Sequence, residues 1–344
     1  MRFRPLPLAG AGLLVLAACG STAGASGSEN VTLRLGYFPN VTHATALVGV
    51  EKGIFAAKLG PGVTLKTQTF NAGGKAIEAL FADAIDATYV GPNPAINGYM
   101  KSHGEALRIV SGATSGGAFL VVKPTIKSAA DLKGKKVASP QLGNTQDVAL
   151  RAWLKKQGLT TDTSGGGDVS ILPQENAATL DAFKIGAIDG AWVPEPWATR
   201  LIQDGGGKVL VAESDLWPDG KYVTTQLVVA TKFLSDHPDV VRGLLEGQVA
   251  ANDFVNANPA EAQKLANDQI EKLTQKRLSD ALIAASWKNL TFANDPIASS
   301  LQASANAATD VGLLDKVDLK GIYDLTLLNE VLKAAGEATV SGLP

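Results

Sequence analysis

Hydrophobic and polar positions along this chain switch repeatedly between a period of two and a period near 3.6. Val31–Phe38 (VTLRLGYF) alternates like a half-buried strand, and Thr32–Tyr37 is its expected extent. Ala44–Leu59 sets Leu47, Val50, Ile54 and Phe55 on one face of a helix. Val63–Phe70 is an expected strand. Lys75–Phe81 is a short helix opened by Gly73-Gly74, and Ala87–Val90 is a strand. Pro92–Ser102 is a helix with Pro in its first turn, where a missing N–H costs nothing, and Leu107–Ala113 is a strand. A second unit begins near Lys127. It places strands at Val137-Ala138, Val169–Leu172, Ala191–Val193 and Lys208–Ala212, and helices at Asp147–Lys156, Asn176–Lys184 and Pro194–Gln203. Strand–helix alternation of this kind predicts mostly parallel sheets with helices on both faces.

Two longer β-rich runs, Ala118–Lys123 and Tyr222–Thr231, bracket the second unit and are where the chain is expected to cross between lobes. After Thr231 the pattern is mostly helical, broken at His237-Pro238 and Asn258-Pro259, and is expected to pack back on the first unit. The expected division is residues 31–123 and 222–344 in lobe 1 and residues 124–221 in lobe 2. The folded part, roughly 310 residues, exceeds the size at which one core usually keeps growing.

An internal resemblance supports two lobes. Phe81–Ala95 reads FADAIDATYVGPNPA, and Phe183–Ala198 reads FKIGAIDGAWVPEPWA. Each has Phe, then Ala-Ile-Asp, then an aromatic followed by Val, then Pro-x-Pro. Two units on one plan imply a cleft between them, a favoured place for a small molecule.

The first residues carry a different signal. Arg2 and Arg4 precede an apolar run, Leu6–Ala18, which is shorter than the roughly 20 residues a membrane helix needs and matches a signal peptide over residues 1–18. The run ends in Leu16-Ala17-Ala18-Cys19, which resembles a bacterial lipobox and implies acylation of Cys19. Residues 19–30 are small and polar, as in a flexible tether. Cys19 is the only cysteine, so no intrachain disulfide and no catalytic thiol in the folded part is possible. The formal net charge of −2 and the lack of a Lys/Arg cluster argue against a nucleic-acid partner.

The lipobox, Gly36–Phe55, Thr88–Ile96, Ala129–Ala138, Gly143–Leu154 and Asp189–Ala198 together resemble the substrate-binding lipoproteins of ABC importers. The nearest group is the aliphatic sulfonate/nitrate/taurine-binding family, which also includes binders of thiamine-pyrimidine precursors. The resemblance implies an α/β, two-lobed periplasmic-binding-protein-like fold (type II), with two parallel-rich sheets and a two-strand hinge. It implies a small organic anion as ligand, with a pyrimidine-like heterocycle or nitrate as alternatives. It also implies a membrane permease as partner, a monomer, lipid anchoring on the extracytoplasmic face, and no cofactor or metal. Enzymes of related fold use a Cys nucleophile or His and Cys groups. This chain offers only His43, His103 and His237, and no G-x-S-x-G, P-loop or H-E-x-x-H. A sensory or adhesive role for the same cleft stays open.

Ligands of open α/β sheets bind outside the carboxyl ends of the strands. Those ends supply Asn40, Thr42, His43, Gly73, Gly74, Gly91, Asn93, Ser115, Gly116, Asn144, Thr145, Gln146, Gln174, Asn176, Trp192 and Glu195 as candidate contacts. Many stand at helix starts, where free N–H groups suit an anion. Asn40, Thr42 and Asn144 could equally be N-caps. Trp192 and Trp197 are each expected either in the core or as an apolar wall of the cleft, and of the two Trp192 is taken as the candidate contact. Glu195 is either a solvated charge or a reader of an amine on the ligand.

Overall fold

The computed structural model describes Met1, residues 30–315 and residues 317–344. The expected signal peptide, Cys19 and the tether up to residue 29 lie outside the described residues. In chain order, the first part runs β1 (Val31–Tyr37), α1 (Ala44–Glu51), α2 (Ile54–Leu59), β2 (Val63–Thr69), α3 (Gly73–Phe81), β3 (Ala87–Val90), α4 (Pro92–Lys101) and β4 (Leu107–Gly116). The second runs β5 (Ala118–Val122), β6 (Lys136–Ser139), α5 (Thr145–Lys156), β7 (Ser170–Pro173), α6 (Asn176–Lys184), β8 (Gly190–Pro194), α7 (Trp197–Gln203) and β9 (Lys208–Ala212). Then follow β10 (Val223–Ala230), α8 (Thr231–Asp236), α9 (Pro238–Ala257), α10 (Pro259–Thr274), α11 (Asp280–Trp287), β11 (Leu290–Phe292), α12 (Ala298–Asp310) and α13 (Thr326–Ala334).

The described residues form two sheets, ordered β11-β4-β10-β3-β1-β2 and β7-β6-β8-β5-β9. β1 runs parallel to β2 and β3, and β6 runs parallel to β7 and β8. One antiparallel strand then joins each set: β10 beside β3, and β5 beside β8. Both sheets therefore follow one plan, and in each the antiparallel strand follows directly on a passage from the other sheet. The first passage is at Gly116-Gly117, whose φ of 84° and 74° suit glycine. β5, expected as a hinge strand at the edge of lobe 1, pairs inside the second sheet. The return passage, Glu213–Tyr222, is tied to the first: the Ala118 N–H donates to Tyr222 Oη at 3.1 Å, and Thr224 Oγ1 donates to the Gly116 carbonyl at 2.6 Å.

Period-two burial builds the cores. In β5, Leu120 and Val122 face the α5 side while Val121 faces α6 and α7; in β8, Trp192 faces α5 while Ala191 and Val193 face the other way. The first sheet is covered likewise, by α1, α2, α9 and α10 on one face and by α3, α4 and α12 on the other. β2 lies at an edge, mostly exposed and carrying Lys66, a charge that discourages edge pairing. The helix expected over Ala44–Leu59 breaks at Gly53, whose φ of 73° no continuous helix tolerates. Among the described residues no helix is long and apolar enough to cross a membrane.

Candidate functional site

The carboxyl ends of β1, β2, β3, β6, β7 and β8 meet at the seam between the sheets. A cavity of about 40 Å³ there is lined by Asn40, Thr42, His43, Gly73, Gly91, Asn144, Thr145, Gln146 and Asn176, nine of the sixteen expected contacts. Phe38, Asn71, Pro140, Pro194, Thr224 and Thr225 complete most of its wall. One water needs roughly 10–15 Å³ on this measure, so the space suits a compact head group of a few heavy atoms. Asn40, Asn71 and Asn176 also line an adjoining cavity of about 240 Å³, with apolar walls at Phe70, Leu180, Trp197, Ile270 and Leu278 and charged ones at Glu175, Asp181, Arg200 and Lys276.

The small cavity holds no lysine, arginine or carboxylate. Its polarity comes from amides, hydroxyls and the first turns of α3, α5 and α6, which begin at Gly73, Thr145 and Asn176. Such turns carry free N–H groups and a partial positive charge. Neither Asn40 nor Asn144 makes a side-chain cap to the helix it precedes, so both amides are free for the seam. Thr145 Oγ1 and Asn176 Oδ1 are buried without a hydrogen-bond partner among the described residues.

His43 is only 3% exposed, and burial pushes its pKa down to about 3, so the ring is neutral. It stacks on Phe38, with centroids 4.5 Å apart, and its Nδ1 accepts from the Phe38 N–H at 3.3 Å. An accepting Nδ1 puts the proton on Nε2, which makes His43 an uncharged donor.

The lobes touch closely around this cavity. A Cβ on Gly91 would lie 2.5 Å from Thr145 Oγ1, and one on Gly73 would lie 2.9 Å from Asn144 Oδ1. Gly91 thus leaves room for the second lobe, whereas a Cβ on Gly73 would first meet Pro94 of its own lobe, at 2.3 Å. The Asn97 amide donates to the Gly143 carbonyl at 3.1 Å, and the Trp197 indole N–H donates to Asn40 Oδ1 at 2.9 Å.

Seven expected contacts lie elsewhere. The Gly74 N–H donates to Gln141 Oε1 at 3.2 Å, outside the cavity wall. Asn93 is buried behind the sheet and donates to the Ser304 carbonyl of α12. Ser115 accepts from the Tyr222 N–H and Gly116 from Thr224, so the passage between sheets uses both. Gln174 borders neither cavity, although its Nε2 is buried without a partner among the described residues. Trp192 is fully buried in the second core, edge-on to Trp153, with its indole N–H donating to Glu213 Oε2 at 2.7 Å. A mid-strand side chain has only core to face; Trp197, at the start of α7, faces the cleft instead. Glu195 is neither solvated nor in the cavity. It is 1% exposed and accepts from the Thr199 N–H and hydroxyl and from Asn289 Nδ2, which uses up its carboxylate. Burial raises its pKa.

Residues absent from the expected set fall into two groups. Asn71 follows β2 and stands at a strand end that the same rule covers. Ile270 and Leu278 come from the C-terminal helical part, and nothing in their local pattern points to a cleft. Among the described residues no group of three or more His, Cys, Asp or Glu could hold a metal ion.

The NMT1-like family model matches residues 26–268. The chain belongs to this family. It is 28% identical over 198 residues to the taurine-binding periplasmic protein of Escherichia coli K12, covering 58% of this chain and 59% of that one. It is 27% identical over 329 residues to a Bacillus subtilis 168 protein assigned provisionally as aliphatic sulfonates-binding, covering 93% and 94%. Among solved structures, the alkanesulfonate-binding protein of Xanthomonas axonopodis pv. citri bound to MOPS superposes with a TM-score of 0.71 at 20% identity, covering 86% of this chain and 99% of that one. The NMT1-like chain thus has the two-lobed periplasmic-binding-protein fold.

Proposed function

We propose that this chain is the extracytoplasmic solute-binding lipoprotein of an ABC importer and that it captures a small organic anion of the aliphatic sulfonate class. The observation that carries this reading is the pairing of a charge-free, donor-lined small cavity with a larger vestibule whose walls are mostly apolar. An oxyanion head of three or four oxygens takes hydrogen bonds from His43 Nε2–H, Thr145, Asn144, Gln146 and the first turns of α3 and α5. Its charge is met by helix dipoles rather than by a salt bridge, as at other helix-start anion sites. The tail lies in the vestibule against Trp197, Phe70 and Leu180. Glu195 is spent on Thr199 and Asn289, so the carboxylates that would read an amine on the tail are Glu175 and Asp181 of the vestibule wall.

Closing on the ligand follows from wall residues drawn from both lobes: a ligand favours the closed state only by contacting it better than the open one. The closed, loaded form then docks on a membrane permease, and the protein works as a monomer tethered through acylated Cys19.

Calorimetry with alkanesulfonates of increasing chain length, taurine, nitrate, bicarbonate and an aminopyrimidine tests the reading. Alkanesulfonates should bind most tightly, and a hundredfold excess over Kd should stabilise the fold by about 2.7 kcal/mol. Binding of the neutral heterocycle with no anion bound would overturn it. Binding of nitrate or bicarbonate alone would leave the vestibule unused and restrict the ligand to a bare oxyanion. For the anchor, Cys19→Ala should abolish labelling by a palmitate analogue; equal labelling of mutant and parent would refute acylation there.

A further inference from the structure

Asn40 follows β1 in the first lobe, and Trp197 opens α7 in the second. The 2.9 Å hydrogen bond from the Trp197 indole N–H to Asn40 Oδ1 therefore spans the cleft. An indole N–H can only donate. It selects one of the two orientations of the Asn40 amide, with oxygen toward Trp197 and the two N–H of Nδ2 turned away from it. Asn40 stands on the wall that the small cavity shares with the vestibule, and it spends nothing on capping the turn after it. An unrestrained asparagine could show an anion its oxygen as readily as its NH₂. The indole is itself held in place. The Arg200 guanidinium lies over it, 4.8 Å from the ring centroid, and Arg200 Nε in turn donates to Asp204 at 3.3 Å.

We propose that Trp197 is a positioning residue: it makes Asn40 an anion donor only when the lobes are closed, so that closure and recognition of the anionic head are one event. The proposal rests on the anion-binding reading above and adds a mechanism by which an anion selects the closed state. In the open state the second lobe withdraws its indole and Asn40 loses its fixed polarity. In the closed state the anion receives a pre-oriented N–H at no further entropic cost.

Calorimetry with butanesulfonate on the parent and four variants tests the coupling. Trp197→Phe keeps a ring on Arg200 and in the vestibule but removes the donor; affinity should fall about tenfold, the effect of one hydrogen bond in a buried site. Asn40→Asp keeps the acceptor for the indole but replaces the NH₂ by an oxygen and should abolish binding while leaving Tm close to that of the parent. Asn40→Ala combined with Trp197→Phe should bind as well as Asn40→Ala alone, to within about twofold. If Trp197→Phe still weakens binding about tenfold in the Asn40→Ala background, Trp197 acts by packing and the proposal fails. If parent and Trp197→Phe bind equally, it fails as well, with the functional reading intact. If the parent binds no sulfonate, the functional reading fails first. The Trp197 indole proton gives a second readout: its NMR resonance should move downfield on adding butanesulfonate to the parent and stay put in Asn40→Ala.

Discussion

His43 and Glu213 are both buried, and their titrations pull stability in opposite directions. His43 has its pKa depressed to about 3 by desolvation, against an ordinary 6.5. The unfolded chain takes up that proton first, so stability falls as pH drops from about 6.5 toward 3. Glu213 is pushed up to about 7 by burial, against an ordinary 4.5, despite its bond from Trp192. The folded chain holds that proton longer, so the stability it gives is full below about 4.5 and is lost as pH rises through 7. Urea unfolding across pH 4–8 should show His43→Gln flattening the acid limb and Glu213→Gln flattening the neutral one. Ligand affinity should stay level from pH 5 to 6, because the small cavity offers no group that changes charge there. Gly91→Ala makes a separate case. Its φ of −72° is open to alanine, so the new methyl clashes only with Thr145 across the seam and touches the Thr224 carbonyl at an ordinary 3.4 Å. Affinity should drop by about tenfold or more with little change in Tm, since the cost is a contact of the closed state; an unchanged Kd would contradict the closed geometry. Trp192→Ala should do the reverse, costing about 3–5 kcal/mol of stability while the stable fraction still binds.

At the scale of elements, the strand-end rule named most of the residues that line the small cavity, because carboxyl ends of parallel strands and the helix starts after them have local signatures. Asn40, Gly73, Asn144 and Asn176 all stand just before or at the start of a helical turn. The same rule, followed strictly, would have favoured Trp197 over Trp192: the one opens a helix beyond a strand end, and the other sits inside the strand. Glu195 was misplaced for another reason. Its partners Thr199 and Asn289 stand four residues away and in the other lobe. A free carboxylate in a loop cannot be told from a clamped one without knowing what arrives from elsewhere. The vestibule residues Ile270 and Leu278 are apolar positions in a helical region, indistinguishable by period from core. The split of α1 from α2 hinged on Gly53, a signal present in the chain but outweighed by the apolar face on either side.

For the whole molecule, binding should compact the protein, since residues of both lobes line one 40 Å³ cavity. Small-angle scattering should give a smaller radius of gyration with butanesulfonate than without it in solution, and Gly91→Ala should remain at the larger value under both conditions. No difference in the parent would mean that the lobes stay closed unaided and that the ligand enters by a local opening.

The placement of β10 has a consequence for the chain while it is being made. β10 is the strand that pairs with β3 on one side and β4 on the other, yet it is translated only after the entire second sheet. Until it emerges, β3, whose residues are all buried in the finished protein, lies with one backbone edge unpaired. A ribosome-bound chain stopped before Val223 should therefore be sticky, and a holdase or an unfolded-state carrier should bind it through Ala87–Val90. A chain released after Ala230 should shed that carrier, because the missing partner has arrived.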